Sequence, residues 1–241
     1  MSALFMVRNL EKAHARRGFF GRDRGVVLPG LDFEIWPGEW VVLAGKSGCG
    51  KTTLARLLAG LDRADGGQIL VNYNAGTPEL LRARVGWIPQ DPGRSLNPRF
   101  TALEAILETI EIRRLPHELE GQCALQAGVE EKLLPRPIRE LSGGQKASVA
   151  IARAWTLEPW LLILDESLAA LDLDLQEQIL EALLDQSIRT NMSCLFIAHE
   201  TALLERAGAR IELMEQGKIV EKESPAWQEW RLAQPRWIVG N

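Results

Sequence analysis

The sequence is poor in tyrosine and cysteine, with one Tyr and three Cys in 241 residues. Cys49, Cys123 and Cys194 are odd in number and show no C-x-x-C spacing, so they imply neither a disulfide framework nor a zinc site. Such usage fits a reducing, cytoplasmic compartment. No stretch approaches the roughly 18 consecutive apolar residues that span a bilayer. The purest runs, such as Leu161 to Leu164, are only strand-sized. The opening MSALFMVRNLEK lacks the charged-then-apolar order of a secretion signal. Any membrane role is therefore expected to pass through a partner. There is no excess of one charge either: 28 Lys and Arg against 32 Asp and Glu leave a net −4, which argues against a protein that coats nucleic acid. No internal repeat or low-complexity segment is present.

What is present is a globular composition, 46% hydrophobic and 25% charged, long enough for one large α/β domain or two small ones. Eight Trp stand out, because each large indole carries an N–H that wants a partner. Residues 4–10 and 26–44 read as short strands around a basic, glycine-flanked hairpin or loop, KAHARRGFFGRDRG. Trp40 to Ala44 is a continuous apolar run, as in a strand buried on both faces. TTLARLLAGL has helical spacing, and Ile69, Val71 and Tyr73 alternate as if sharing one strand face. Helical patterning from about Thr101 to Ala154 precedes a strand at Trp160 to Leu164, a helix at Leu175 to Ile188 and a strand at Ser193 to Ala198. A hairpin around Gln216–Gly217 closes the recognisable pattern, and the tail after Glu223 has no assignment. Strands alternating with helices predict a mainly parallel sheet.

Residues 45–52, GKSGCGKT, match G-x-x-x-x-G-K-[ST] between that apolar strand and that helix. The chemistry requires this placement. Glycines let the backbone wrap a phosphate with its N–H groups inward, and the helix start adds partial positive charge. Lys51 then reaches the β- and γ-phosphates and the Thr52 hydroxyl ligates Mg2+. LLILDE places Asp165 and Glu166 at the C-terminal end of a buried strand, where ligands gather in open α/β sheets. Asp165 suits the Mg2+ shell, and Glu166 an attacking water; two solvated acids opening a helix are the plainer reading. LSGGQ at 141–145 precedes a helical run, so Ser142 with Gly143 and Gly144 makes either a second anion site or an ordinary capped helix start.

Taken in order, the phosphate loop, LSGGQ and the acid pair make the chain resemble the ATP-binding subunits of ABC transporters. The resemblance covers roughly residues 4–223 and implies a P-loop NTPase with a RecA-like core, an antiparallel β subdomain and a helical subdomain. It divides the chain into an ATPase domain at 1–223, with the helical subdomain at about 91–155, and a tail at 224–241. It implies ATP and Mg2+ as ligands. His14, Gly45, Lys46, Ser47, Gly48, Cys49, Gly50, Lys51, Thr52 and Thr53 would bind nucleotide. Thr52, Gln90 and Asp165 would serve the metal, and Glu166, His199, Gln90 and Lys51 the chemistry. Ser142, Gly143, Gly144 and Gln145 would reach the ATP of a second ATPase subunit, and Asp172 would communicate across that dimer. QDPGRSLNPRFT, GKSGCGKTTLARLLAGL and LLILDESLAALDLDLQEQIL are similar to the peptide/nickel importer branch, most of all its nickel-import ATPase. That implies two membrane permease subunits, an external substrate-binding protein, no nucleic acid, and a place on the cytoplasmic face of the membrane.

The departures are specific. His14 stands where an adenine-stacking aromatic is usual, Ser167 where Pro usually follows the catalytic Glu, Ala169 for a D-loop Ser, and Ala147–Ser148 for a Gln–Arg pair. A soluble ABC ATPase of translation, repair or assembly is the alternative. Cys49 is either a tolerated small residue or a thiol whose oxidation blocks ATP. The cluster Arg16, Arg17, Arg22 and Arg24 with Phe19 and Phe20 is either a solvated hairpin or a contact for lipid or a membrane subunit. Trp36, Trp40, Trp87, Trp155 and Trp160 are expected in packing; Trp227, Trp230 and Trp237 lie in the unassigned tail.

Overall fold

A chain that alternates strand signals with helix signals must bury two kinds of sheet, and the computed structural model, which describes residues 3–18, 21–113, 123–125, 127–169 and 171–234, contains both. The chain divides into two units, Met1–Arg82 with Leu195–Asn241, and Ala83–Cys194.

In the first unit, β1 (Phe5–Gly18) and β2 (Gly21–Ile35) run antiparallel from Phe5 opposite Ile35 to Gly18 opposite Gly21. The basic segment is thus a paired hairpin and the strands are far longer than the apolar patterning suggested. Phe19 and Phe20 lie outside the described residues, as do the side chains of Arg16, Arg17, Arg22 and Arg24. Phe5 and Val7 face inward with period two, the register slips beyond Val7 with Asn9 at φ 45°, and Leu10 is buried again. β4 (Gly66–Val71) pairs with the other edge of β1, and β5 (Asn74–Ala75) with β4. Asn72 and Tyr73, at φ 49° and 62°, make the tight turn between them. Tyr73 therefore leaves the face of Ile69 and Val71 and is 62% exposed.

The same unit holds β3 (Trp40–Ala44), all five residues buried, in parallel register with β9 (Arg210–Glu215). β10 (Lys218–Val220) returns antiparallel on β9, and β8 (Ser193–Ile197), along which the chain re-enters the unit, follows β3 in the strand order. Trp40 packs on Phe196 with ring centroids 5.2 Å apart. Trp36, by contrast, is 39% exposed. Helix α1 (Lys51–Leu58) lies in this unit, and α2 (Pro78–Arg84) carries the chain from it into the second. After α6 (Ala202–Arg206), the tail forms α7 (Pro225–Ala233). Ser224 caps it, accepting from Trp227 N at 3.2 Å, and Arg231 grips Glu205 at 2.7 and 2.8 Å. Trp227 and Trp230 pack together, centroids 5.3 Å apart; Trp237 lies outside the described residues.

In the second unit, β6 (Val85–Ile88) and β7 (Leu161–Asp165) are parallel, Val85 opposite Leu161. Its helices are α3 (Ala102–Arg113), α4 (Gly143–Trp155) and α5 (Leu173–Thr190). Trp155 is buried, and Trp160 lies 4.6 Å beneath the Arg84 guanidinium. Arg153 of α4 donates to the Ser95 carbonyl at 2.8 Å and to its hydroxyl at 3.1 Å, so a half-buried cation ties this helix to the short 3-10 turn Pro92–Ser95.

The β9–β10 turn depends on Gly217, at φ 77°, where a Cβ would lie 2.0 Å from the Val27 carbonyl oxygen. Gly208 shares the positive φ, at 86°, but nothing stands within 4 Å of its Cβ position. Gly208→Ala is expected to cost only backbone strain, about 1–3 kcal/mol. Gly217→Ala adds a backbone clash, so thermal melting should show the larger loss for Gly217→Ala.

Candidate functional site

The phosphate loop of the first unit starts at the end of β3. Gly45 has φ 144°, and a Cβ there would stand 2.2 Å from the Met214 carbonyl oxygen of β9, so only glycine lets the loop leave the strand this way. At Gly48, φ 79°, nothing lies within 4 Å of the Cβ position: the loop is tight at its base and open at its bend. Gly217 N donates to Cys49 O at 2.9 Å, so the β9–β10 turn braces the loop. Lys51 is 5% exposed, and its ammonium donates to the Gly45 and Lys46 carbonyls at 2.7 and 3.0 Å. Gly50, the N-cap of α1, supplies no capping side chain, which leaves that helix start to another acceptor. A buried ammonium, an open glycine bend and an uncapped helix start are the chemistry of a phosphate site.

Around the loop, Lys46 and Ser47 are exposed and Thr52 lies on the outer side of α1. His14 Nε2 lies 3.3 Å from Thr53 Oγ1, and the imidazole is exposed, open to a planar ligand. Where α1 ends, Arg56 holds Asp62 at 2.7 and 3.1 Å, and this hydrogen bond keeps the Asp62 carboxyl below the usual carboxylate range. His199 follows β8 and is exposed.

In the second unit, Asp165 ends β7 and is 4% exposed. Glu166 adopts φ 53°, a left-handed conformation that costs a non-glycine residue about 1 kcal/mol or more and marks strained functional positions. Gln90 Nε2 donates to Glu166 Oε2 at 2.8 Å, uniting two residues distant in sequence. Ser142 caps α4: its Oγ accepts from Gln145 N at 3.2 Å, and Gln145 Oε1 accepts from Ser142 N at 3.0 Å. The ordinary capped start is thus correct, and it is compatible with the sharper reading because the Ser142 hydroxyl keeps its proton to donate. A Cβ at Gly144 would meet Leu175 Cδ2 at 2.5 Å, whereas Gly143 faces open space. Asp172 caps α5, accepting from Leu175 N at 2.9 Å, which is a structural task in itself.

Oxygen donors of the kind a hard cation takes are carried by Thr52 in the first unit and by Asp165 and Gln90 in the second. Among the described residues no three His, Cys, Asp or Glu side chains form a metal cluster of their own.

The family described as ABC transporter matches residues 28–169. The chain belongs to that family. A probable peptide ABC transporter ATP-binding protein, y4tS of Sinorhizobium fredii, is 38% identical over 91% of this chain and 66% of its own length. The nickel import ATP-binding protein NikE of Escherichia coli O6:K15:H31 is 34% identical over 91% of this chain and 87% of its own. The glutathione import protein GsiA of Shigella dysenteriae is 38% identical over 89% of this chain, which spans only 37% of that relative. Among solved structures, the dimeric ATP-binding cassette MJ0796, in a post-hydrolysis state bound to ADP and Pi, matches with TM-score 0.77 and 26% identity over 90% of this chain and 97% of its own. The fold is accordingly that of a P-loop cassette, with an antiparallel sheet, parallel strand pairs and helices. As a member of an ATP-binding family, the chain presents its phosphate loop for ATP. Among the described residues no helix is long and apolar enough to cross a membrane.

One of the departures from family pattern has a local explanation. Ala147 and Ser148 are buried on α4, at 1% and 3% exposure, where small side chains fit and an unpaired arginine would not. Ser167 is buried and its hydroxyl has no hydrogen-bond partner among the described residues, something the sequence does not reveal because burial is a tertiary property. Arg153 with Ser95 was likewise invisible, since neither residue type nor spacing announces their contact. Burial pushes the Cys123 thiol up to about 11 and that of Cys194 higher still, which keeps both neutral. Cys49 is half-buried, with Sγ 3.9 Å from Lys51 Nζ. A thiol-alkylating reagent at pH 8 should modify one cysteine, Cys49, in the native protein and three after denaturation. Intact-mass measurement checks this, and native labelling at Cys123 or Cys194 would contradict it.

Proposed function

We propose that the chain is the ATP-hydrolysing subunit of an importer for a peptide, nickel or a similar small solute, working on the cytoplasmic face of a membrane. The observation that carries the reading is the Gln90–Glu166 hydrogen bond at a strained backbone position directly after Asp165. A carboxylate held in one orientation beside a metal-binding carboxylate suits activation of water for attack on a γ-phosphate. Solute uptake rests on the relatives, whose names speak of peptide, nickel and glutathione import.

In this reading, Lys51 and the N–H groups of residues 45–53 hold the β- and γ-phosphates, and His14 lies against the base. Glu166 orients and deprotonates water, His199 hydrogen-bonds the γ-phosphate, and ATP and water become ADP and phosphate. Mg2+, held by Thr52, Asp165 and Gln90, would neutralise charge on the phosphates. Ser142 donates a hydrogen bond through its free O–H, with Gly143, Gly144 and Gln145 beside it, to ATP on a second ATPase subunit, and Asp172 lies at that junction. The second subunit is a paired ATPase or another copy of this chain. Two permease subunits and an external binding protein complete the assembly. Residues 1–223 form the ATPase domain, with 91–155 as the part that answers to the permeases, and 224–241 as an appended tail.

Glu166→Gln should lower phosphate release about a hundredfold or more while ATP still drives dimer formation, read by light scattering. Normal turnover by that variant would remove Glu166 from the chemistry. Affinity purification should recover two integral membrane subunits; recovery of ribosomes or DNA would overturn the transport assignment.

A further inference from the structure

A cleft of about 390 Å³ in the second unit is bordered by Gln90, Gly93, Lys146, Ala147, Ser167 and Leu171. Two facts about this wall belong together. Gln90 commits its amide N–H to Glu166 at 2.8 Å, which leaves its carbonyl oxygen, on the other side of the planar amide, as an acceptor. Ser167, the residue after Glu166, is 3% exposed, and its hydroxyl has no partner among the described residues. A hydroxyl withdrawn from bulk water without a hydrogen bond costs about 1–3 kcal/mol. Sequence position gives it no partner either: Ser167 neither starts a helix nor sits where an i−4 carbonyl is offered, since β7 ends at Asp165 and α5 begins at Leu173.

The adjoining cleft is of mixed character, with Gln90, Lys146 and Ser167 among apolar neighbours, and has room for several waters at about 30 Å³ each. The staggered rotamers of a serine let its Oγ turn toward that space. We propose that Ser167 is a positioning residue that fixes a water in this cleft, and that this water holds Gln90 in the orientation that donates to Glu166. The proposal rests on the reading of Glu166 as the residue that activates water. Its physical basis is economy of hydrogen bonding: the water satisfies the Ser167 hydroxyl and takes one lone pair of the Gln90 carbonyl, leaving the other for Mg2+, so that amide rotation away from Glu166 would break two bonds rather than one. It also gives the serine a task that a proline at the same position, having no hydroxyl, does not perform.

The test compares the full chain with Ser167→Ala in three measurements. A high-resolution crystal structure of the parent is expected to show a water within hydrogen-bond distance of Ser167 Oγ, and that of the variant to lack it and to show Gln90 turned from Glu166. Phosphate release should fall about fivefold in kcat, the worth of one hydrogen bond, with KM for ATP unchanged. Thermal melting should not rise. A parent structure with no such water, a variant with parental kcat, or a higher melting temperature in Ser167→Ala would overturn the proposal; the last would mean that the hydroxyl was simply orphaned. If the parent hydrolyses ATP and Glu166→Gln does not, only the role of Ser167 is at stake in these outcomes. If Glu166→Gln turns over normally, the underlying reading falls and this role with it, even where the water is present.

Discussion

The first unit is organised around a buried positive charge. Lys51 is 5% exposed, and an ammonium so far from water is tolerable only if its N–H groups are met. The carbonyls of Gly45 and Lys46 meet them, and to point there the chain must turn at Gly45 with a positive φ and its Cα pressed against the Met214 carbonyl of β9. That approach exists only because β9 is parallel to β3, Ala44 opposite Leu213. The following turn then donates from Gly217 to Cys49 and fixes the far side of the loop. A local motif of eight residues thus stands on a hairpin from the opposite end of the sequence. The loop is pre-organised by sheet register, so little of the cost of wrapping a phosphate need be met at the moment of binding.

The second unit solves a related problem with side chains rather than glycines. Glu166 must project from a chain that has just left a fully buried strand, and its left-handed backbone redirects it at the cost of strain. Strain persists only when neighbours over-determine it. Gln90 from the segment after β6 holds the carboxylate, and parallel pairing of β6 with β7, Ile88 opposite Leu164, brings the two segments out at the same end. Arg153 extends this arrangement. Burial lowers its pKa, opposed by Glu108, which lies 3.5 Å away, so the cation is retained among acceptors. Its contacts with Ser95 make α4 and the 3-10 turn after Gln90 one mechanical piece.

What was legible in the sequence was chemistry that residues enforce within a few positions of one another. The glycine loop, the Ser-capped helix start at Ser142 and the acid pair at a strand end are of this kind, and each falls where its pattern placed it. Less legible were features decided by distant partners. Val85–Ile88 is a four-residue strand containing glycine, and only pairing with β7 makes it one. The β1–β2 hairpin runs through a stretch rich in arginine because backbone pairing does not require apolar side chains. Tyr73 had the right alternation for a strand, yet turn chemistry at Asn72–Tyr73 prevailed over it. The tail helix starts at a Ser-Pro pair, a signal that was readable, while its attachment through Arg231 to Glu205 was not.

The three helix starts near these motifs differ in a way that follows from their own residues. Every helix begins with unpaired N–H groups and a partial positive charge. At α5, Asp172 fills that position with an acceptor that is itself an anion, which takes the Leu175 N–H and would repel a phosphate. At α4, Ser142 fills it with a neutral oxygen that retains a proton, and Gly143 keeps the space beside it open. This start can therefore receive an anion as a donor set, though it does not need one to be stable. At α1, Gly50 offers no side chain, and a buried ammonium lies one residue away. This start is the least complete alone and the most strongly drawn to an external anion. One backbone dipole is thus graded into a primary site, a conditional site and a closed end by the choice of glycine, serine or aspartate at a single position. In the proposed ATPase, that grading would let ATP be bound firmly by one loop, contacted conditionally by another, and not competed for by a third.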